Sequence, residues 1–135
     1  MDWEECNEKK LVKEIKADLN LFASLIKSSK NKLESNKRLE LDETTASTKI
    51  SLAYDSLREI LEAIAIKKGF KIYNHKCFCG FLDEICGERA LSREFDKFRK
   101  IRNSINYYGE DVPIEEARII IKEINELREK LMRIS

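Results

Sequence analysis

The chain has no glutamine, one proline and only four glycines among 135 residues. Few breakers favour long helices with solvated, ion-paired faces over a turn-dense fold. No stretch is long and apolar enough to cross a membrane, and the acidic N-terminus Met1-Asp2-Trp3-Glu4-Glu5 does not read as a signal peptide. Neither sign of charge is in excess: 26 basic and 25 acidic residues leave a formal net charge of +1. Global charge therefore does not announce a nucleic-acid binder, and such a site must come from local clustering. No segment alternates with period two convincingly enough for a strand, and there is no internal repeat or low-complexity tract. These absences predict a cytoplasmic, membrane-free protein whose four cysteines are reduced by default.

What is present is charge and helical periodicity. Charged residues make up 38% of the chain, well above the usual ~25%. Abundant Lys and Glu with no glutamine resemble thermophile composition, although the several asparagines weaken that comparison. The apolar share of 42% suffices for one core, so residues 1–135 read as one domain that folds without a staple.

Apolar residues at Leu11, Ile15, Leu19, Phe22, Ile26 and Leu33 predict a first long amphipathic helix. The period is lost over Ser35 to Asp42, which reads as a break, and Asp42, Thr44 and Thr45 supply capping chemistry. A second helix is expected from about Thr45 to Lys68, with Ile50, Ala53, Tyr54, Leu57, Leu61 and Ile64 as its core stripe and Gly69 as its stop. A shorter third follows from about Lys76 to Ile85. A fourth runs from about Glu88 to Tyr108, stopped at Gly109. Pro113 restarts the chain into a fifth, with Ala117, Ile120, Ile121, Ile124, Leu127 and Leu131 inward. The expected architecture is all-α: an up-and-down bundle of four main helices plus one shorter helix.

One residue breaks the pattern. The fourth helix's stripe reads Leu91, Phe95, Phe98, position 102, Ile105, and position 102 is Arg. A guanidinium in register with core residues must be paired, half-exposed in a cleft, or available to an anion. Its structural alternatives are a favourable place near a helix C-terminus or a pair with Glu62 or Asp96. Its functional alternative is a planar fork for phosphate. Asn103 adds an amide beside it, and Tyr107 and Tyr108 add phenols that can stack on bases. Arg93, Lys97 and Lys100 recur at helical spacing, with Arg99 alongside, as a basic stripe or simply a solvated face.

The run Tyr54-Asp55-Ser56-Leu57-Arg58-Glu59-Ile60-Leu61-Glu62-Ala63, continuing to Lys68-Gly69-Phe70 and Asn74-His75-Lys76, resembles the second helix of the HEPN family and the turn into its third. Arg99-Lys100-Ile101-Arg102-Asn103-Ser104-Ile105-Asn106-Tyr107-Tyr108-Gly109 resembles that family's signature at the end of its fourth helix. The resemblance covers most of the chain from about Ile50 onward. It implies a HEPN-like helical bundle, commonly a homodimer, that binds nucleotide or RNA. It also implies a minimal nucleotidyltransferase partner in a toxin–antitoxin pair, which in some members adenylylates a Tyr of the toxin. In ribonuclease members, a signature Arg, a polar residue and then a His form a metal-independent RNA-cleaving site. Arg102 matches the Arg and Asn103 the polar residue, but Tyr107 stands at the His position. A phenol with a pKa near ~10 is only about one part in a thousand ionised at pH 7, so the expected general base is absent.

The site expected from these readings has Arg102 and Tyr107 as catalytic candidates. Arg102, Asn103, Tyr107, Tyr108, Lys97 and Lys100 are the ligand-binding candidates, and Tyr107 or Tyr108 the modified residue. His75 is the only imidazole. It reads as a capping or packing residue, and could replace the missing base only if the fold or dimer brings it near Arg102. His75, Cys77, Cys79 and Cys86 have residue types that suit zinc. On a helix, however, positions 77 and 79 point about 200° apart, while Cys79 and Cys86 share a face and pack as small hydrophobes, so no metal or cofactor is expected. Three functions remain open: a nucleotide- or RNA-binding HEPN protein, a ribonuclease in which Tyr107 or His75 replaces the usual His, and a non-enzymatic interaction module.

Overall fold

The computed structural model describes residues 1–135. In chain order the elements are α1 (Trp3–Glu8), β1 (Val12–Glu14), α2 (Leu19–Arg38), α3 (Ala46–Lys67) and β2 (Phe70–Ile72). They continue as α4 (Cys77–Gly80), which runs into a π-helical turn (Phe81–Ile85), then α5 (Arg89–Tyr108) and α6 (Ile114–Ile134). The result is a helical bundle with one two-stranded sheet. No helix is long and apolar enough to cross a membrane.

Helix α3 is the centre. It is buried on nearly every face along its second half, as expected of a helix enclosed by others. Helices α2 and α6 flank it, α5 packs against it, and α4 packs against α5. Tyr54, Leu57, Ile60, Leu61 and Ile64 of α3 meet Phe78, Phe81, Phe95, Ile124 and Leu127 in one continuous core.

Two expectations need correcting at the N-terminal end. Leu11 and Ile15 flank a strand and are not the start of a long helix. β1 pairs antiparallel with β2, Val12 opposite Ile72 and Lys13 opposite Lys71. Val12 and Ile72 are buried. Three-residue strands some sixty positions apart are too short for alternation to register. Gly69, at φ +89°, lets the chain turn directly from α3 into β2, and a Cβ there would stand 3.0 Å from the Ile15 carbonyl oxygen. Helix α2 then begins at Leu19, with Asp18 accepting from the Leu21 amide at 2.9 Å.

The second correction is that α2 continues through Ser35 and Asn36 to Arg38. The apolar period fades there because the inward positions are polar. Ser29 and Ser56 exchange hydroxyl-to-carbonyl hydrogen bonds between α2 and α3, at 2.6 and 2.8 Å. Asn36 donates to the Lys49 carbonyl at 3.1 Å, and the Lys49 ammonium donates back to the Asn36 and Leu39 carbonyls. Lys32 pairs with buried Glu59. Arg128 of α6 reaches this seam, its Nε donating to Ser29 Oγ at 3.1 Å and Ser56 Oγ at 3.0 Å.

The cysteines give the third correction. Cys6 and Cys77 are joined by a disulfide, with Cα atoms 6.0 Å apart, contrary to the expectation of four reduced thiols. The β1–β2 pairing carries α1 back over α4, which brings two residues 71 positions apart together. Cys79 and Cys86 are free and partly buried.

Candidate functional site

The site is built on the face where α3, α5 and the turn before α4 converge. Tyr54 is fully buried and forms its floor. Phe95 stacks on Tyr54 at 5.7 Å, and Phe78 meets Phe95 edge-on at 6.1 Å. The register of α5 that buries Phe95 and Phe98 carries Arg102 onto the outer side of the Tyr54 ring, its guanidinium carbon 5.6 Å from the ring centre. A guanidinium over an aromatic face is attracted by the ring quadrupole. The inward position thus ends in a cation seated on an aromatic plate, its side chain 23% exposed.

The expected partners of Arg102 are engaged elsewhere. Glu62 accepts from Arg58 at 2.7 Å. Asp96 pairs with both Arg99, at 2.8 Å, and Lys100, at 3.0 Å. The only carboxylate near Arg102 is Asp55, and it stands off at 4.0 Å. Asn106, one turn on, accepts from Nε at 3.0 Å and Nη2 at 3.2 Å with its amide oxygen turned inward. The Nη1 edge has no partner within the chain. Four cations therefore face three carboxylates across this cluster, leaving one positive charge over.

His75 joins the same cluster. Its Nδ1 lies 3.1 Å from the Tyr54 hydroxyl, so Tyr54 links the imidazole at its hydroxyl end to Arg102 over its face. Burial, followed by the charges of Arg58 and Arg102, pushes the His75 pKa down to about 4, with Asp55 opposing. The ring is therefore neutral near pH 7 and acts as a hydrogen-bonding group. Burial also raises the Tyr54 pKa, against the pull of Arg102, Arg58 and Arg99. Burial alone would raise the Asp96 pKa too, but hydrogen bonds from Arg99 and Lys100 outweigh it and hold the carboxyl below its ordinary value. Burial and then Asp96 push the Cys79 thiol up to about 11.

The other expected residues are more dispersed. Asn103 is partly buried beside Arg102. Tyr107 and Tyr108 lie in the last turn of α5, 74% and 79% exposed. Five and six positions beyond Arg102, they stand about 140° and 240° around the helix from it, and Asn106 occupies its face instead. Lys97 faces α6 and pairs with Glu123 at 2.8 Å. Lys100, two positions before Arg102 and so about 200° around the helix from it, is held by Asp96. Tyr54 was legible as a core residue and Asp55 and Arg58 only as part of the HEPN-like run, and nothing in the sequence marked the three as a floor and rim for Arg102. The larger surface hollows lie elsewhere, one of about 640 Å³ between Glu43 and Glu115.

Compared with protein-family models, curated proteins and solved structures, the chain matches none.

Proposed function

We propose that this chain is a HEPN-like protein that grips a phosphate of a nucleotide or of single-stranded RNA with Arg102. The observation that carries the reading is the incomplete pairing of that guanidinium. Arg58 and Arg99 each hold a carboxylate within 2.8 Å, whereas Arg102 rests on an aromatic ring with one carboxylate at 4.0 Å and one edge unoccupied. Two parallel N–H donors match two oxygens of a phosphate. Asn103 orients the group. Lys100 adds long-range attraction, and Lys97 extends the basic face. Tyr107 and Tyr108, exposed at the helix end, stack on a base or accept an adenylyl group from a nucleotidyltransferase partner. In a homodimer, two such faces meet across one groove. In the ribonuclease form of this reading, a phenol or the neutral imidazole of His75 would have to serve as base.

The test is fluorescence anisotropy with a labelled short single-stranded RNA, titrated with wild type and with Arg102→Ala and Arg102→Lys. Wild type should bind with an affinity that falls as salt rises. Arg102→Ala should lose about tenfold or more, and Arg102→Lys should recover only part, because an ammonium lacks the fork. Equal binding by wild type and Arg102→Ala would overturn the proposal. A ribonuclease would cleave the RNA in chelator and fall silent in Arg102→Ala. RNA left intact by wild type excludes that form alone.

A further inference from the structure

The arginine face is connected to the disulfide through a segment that has little stability of its own. Helix α4 has four residues and passes into a five-residue π turn. Helices this short do not persist alone, and π turns are rare single-turn features. The segment is held from outside. The Cys6–Cys77 bond ties its first residue to α1. Glu84 accepts from the Trp3 amide at 2.7 Å. A Cβ on Gly80 would stand 3.0 Å from the Trp3 nitrogen, so only glycine lets α1 lie this close.

On its other side the same segment touches the site twice. His75, two residues before Cys77, holds the Tyr54 hydroxyl. Cys79, two residues after, lies with its sulfur 3.6 Å from the Asp96 carboxylate that pairs with Arg99 and Lys100. Cys77 is thus the middle of a five-residue span whose two flanks contact the floor and the rim of the cation cluster.

Resting on the phosphate-binding reading above, we infer that the Cys6–Cys77 disulfide is a redox lock on the Arg102 face: bonded, it holds the segment around α4 so that the face is ready to bind, and reduced, it releases α1 and weakens binding. The chemistry balances with two external thiols or one dithiol as reductant. Their sulfurs surrender two electrons and two protons, the Cys6–Cys77 bond breaks, each cysteine becomes a thiol, and the donor leaves as a disulfide. Both sulfurs are fully buried, so the reductant reaches them only when α1 lifts. Cys79 remains a bystander, because its thiol is kept protonated and so is a poor internal nucleophile.

The experiment titrates the labelled short single-stranded RNA into the full chain, oxidised and then reduced with excess dithiothreitol, with helix content followed by circular dichroism. If reduction leaves the face competent about one-tenth of the time, apparent affinity falls ~10-fold while helix content is nearly kept. Cys6→Ser should bind as weakly as the reduced wild type and ignore the reductant, and Cys86→Ser, at the free cysteine away from the cluster, should respond as wild type does. Should Cys6→Ser fail to fold, the reduced and oxidised wild type decide alone. Equal affinity in both redox states, or complete loss of helix on reduction, overturns the lock. RNA binding that is absent in both states, or indifferent to Arg102→Ala, removes the phosphate reading, and the lock falls with it. Arg102-dependent binding without redox response sinks the lock only.

Discussion

Lowering the pH should destabilise this fold through one side chain. His75 is neutral in the folded chain with a pKa of about 4, against 6.5 for an unhindered imidazole. Between those two values the unfolded chain binds a proton that the folded chain does not. The stability contributed by burying the neutral ring is therefore fully present above about pH 6.5 and is lost as pH falls toward about 4. Integrated from about pH 7 to about pH 5, the two pKa values give roughly 2 kcal/mol. Partial exposure of the ring discounts this to on the order of 1 kcal/mol. Urea denaturation at both pH values reads the effect: with a slope near ~2 kcal/mol/M, the midpoint should fall by about 0.5 M. His75→Asn, which keeps a polar amide near the Nδ1 position facing Tyr54 but cannot titrate, should abolish most of that fall. Identical midpoints at both pH values in wild type, or an NMR titration of His75 centred near 6.5, would refute the reasoning.

Three further outcomes follow from the same contacts. Arg128→Met, which fills the seam without carrying a charge into it, should be within about 1 kcal/mol of wild type, whereas Arg128→Ala should cost about 2–4 kcal/mol by leaving a cavity; urea midpoints compare the two. Reducing the Cys6–Cys77 bond, which closes a loop of 71 positions, should lower stability by about 4 kcal/mol in the chain-entropy account, read as the difference between oxidised and reduced chemical denaturation. Asp55→Asn removes the only carboxylate near Arg102 and should tighten RNA binding severalfold at low salt, with the gain shrinking as salt rises; unchanged affinity would mean that the two charges do not communicate.

Much of the bundle was readable in the sequence because its signals are local. The stripe from Ile50 to Ile64, the stop at Gly69 and the restart at Pro113 each declare themselves within one turn or two of helix. The missed features are those that depend on distant partners. The α2 period failed at Asn36 because its inward position is satisfied by Lys49 of α3. Arg128 carries no local sign in the sequence of the two serines, from different helices, to which its Nε donates. The strands β1 and β2 are too short to show a period, and without their pairing Cys6 had no visible reason to meet Cys77. At the candidate site, Arg102 was legible as an intrusion into an apolar stripe. Its aromatic seat on Tyr54 and the His75 contact were not, since both come from the packing of α5 and the α4 turn against α3. Tyr107 and Tyr108, adjacent in sequence, lie around the helix from it.

The most direct measurement pairs the folding stability of Arg102→Ala with its affinity for single-stranded RNA. If the guanidinium is available to a ligand, removing it should change stability by less than about 1 kcal/mol while RNA affinity drops about tenfold or more. A loss of roughly 3–5 kcal/mol in stability, the cost of breaking a buried pair, with RNA affinity unchanged, would show that Arg102 serves the fold alone.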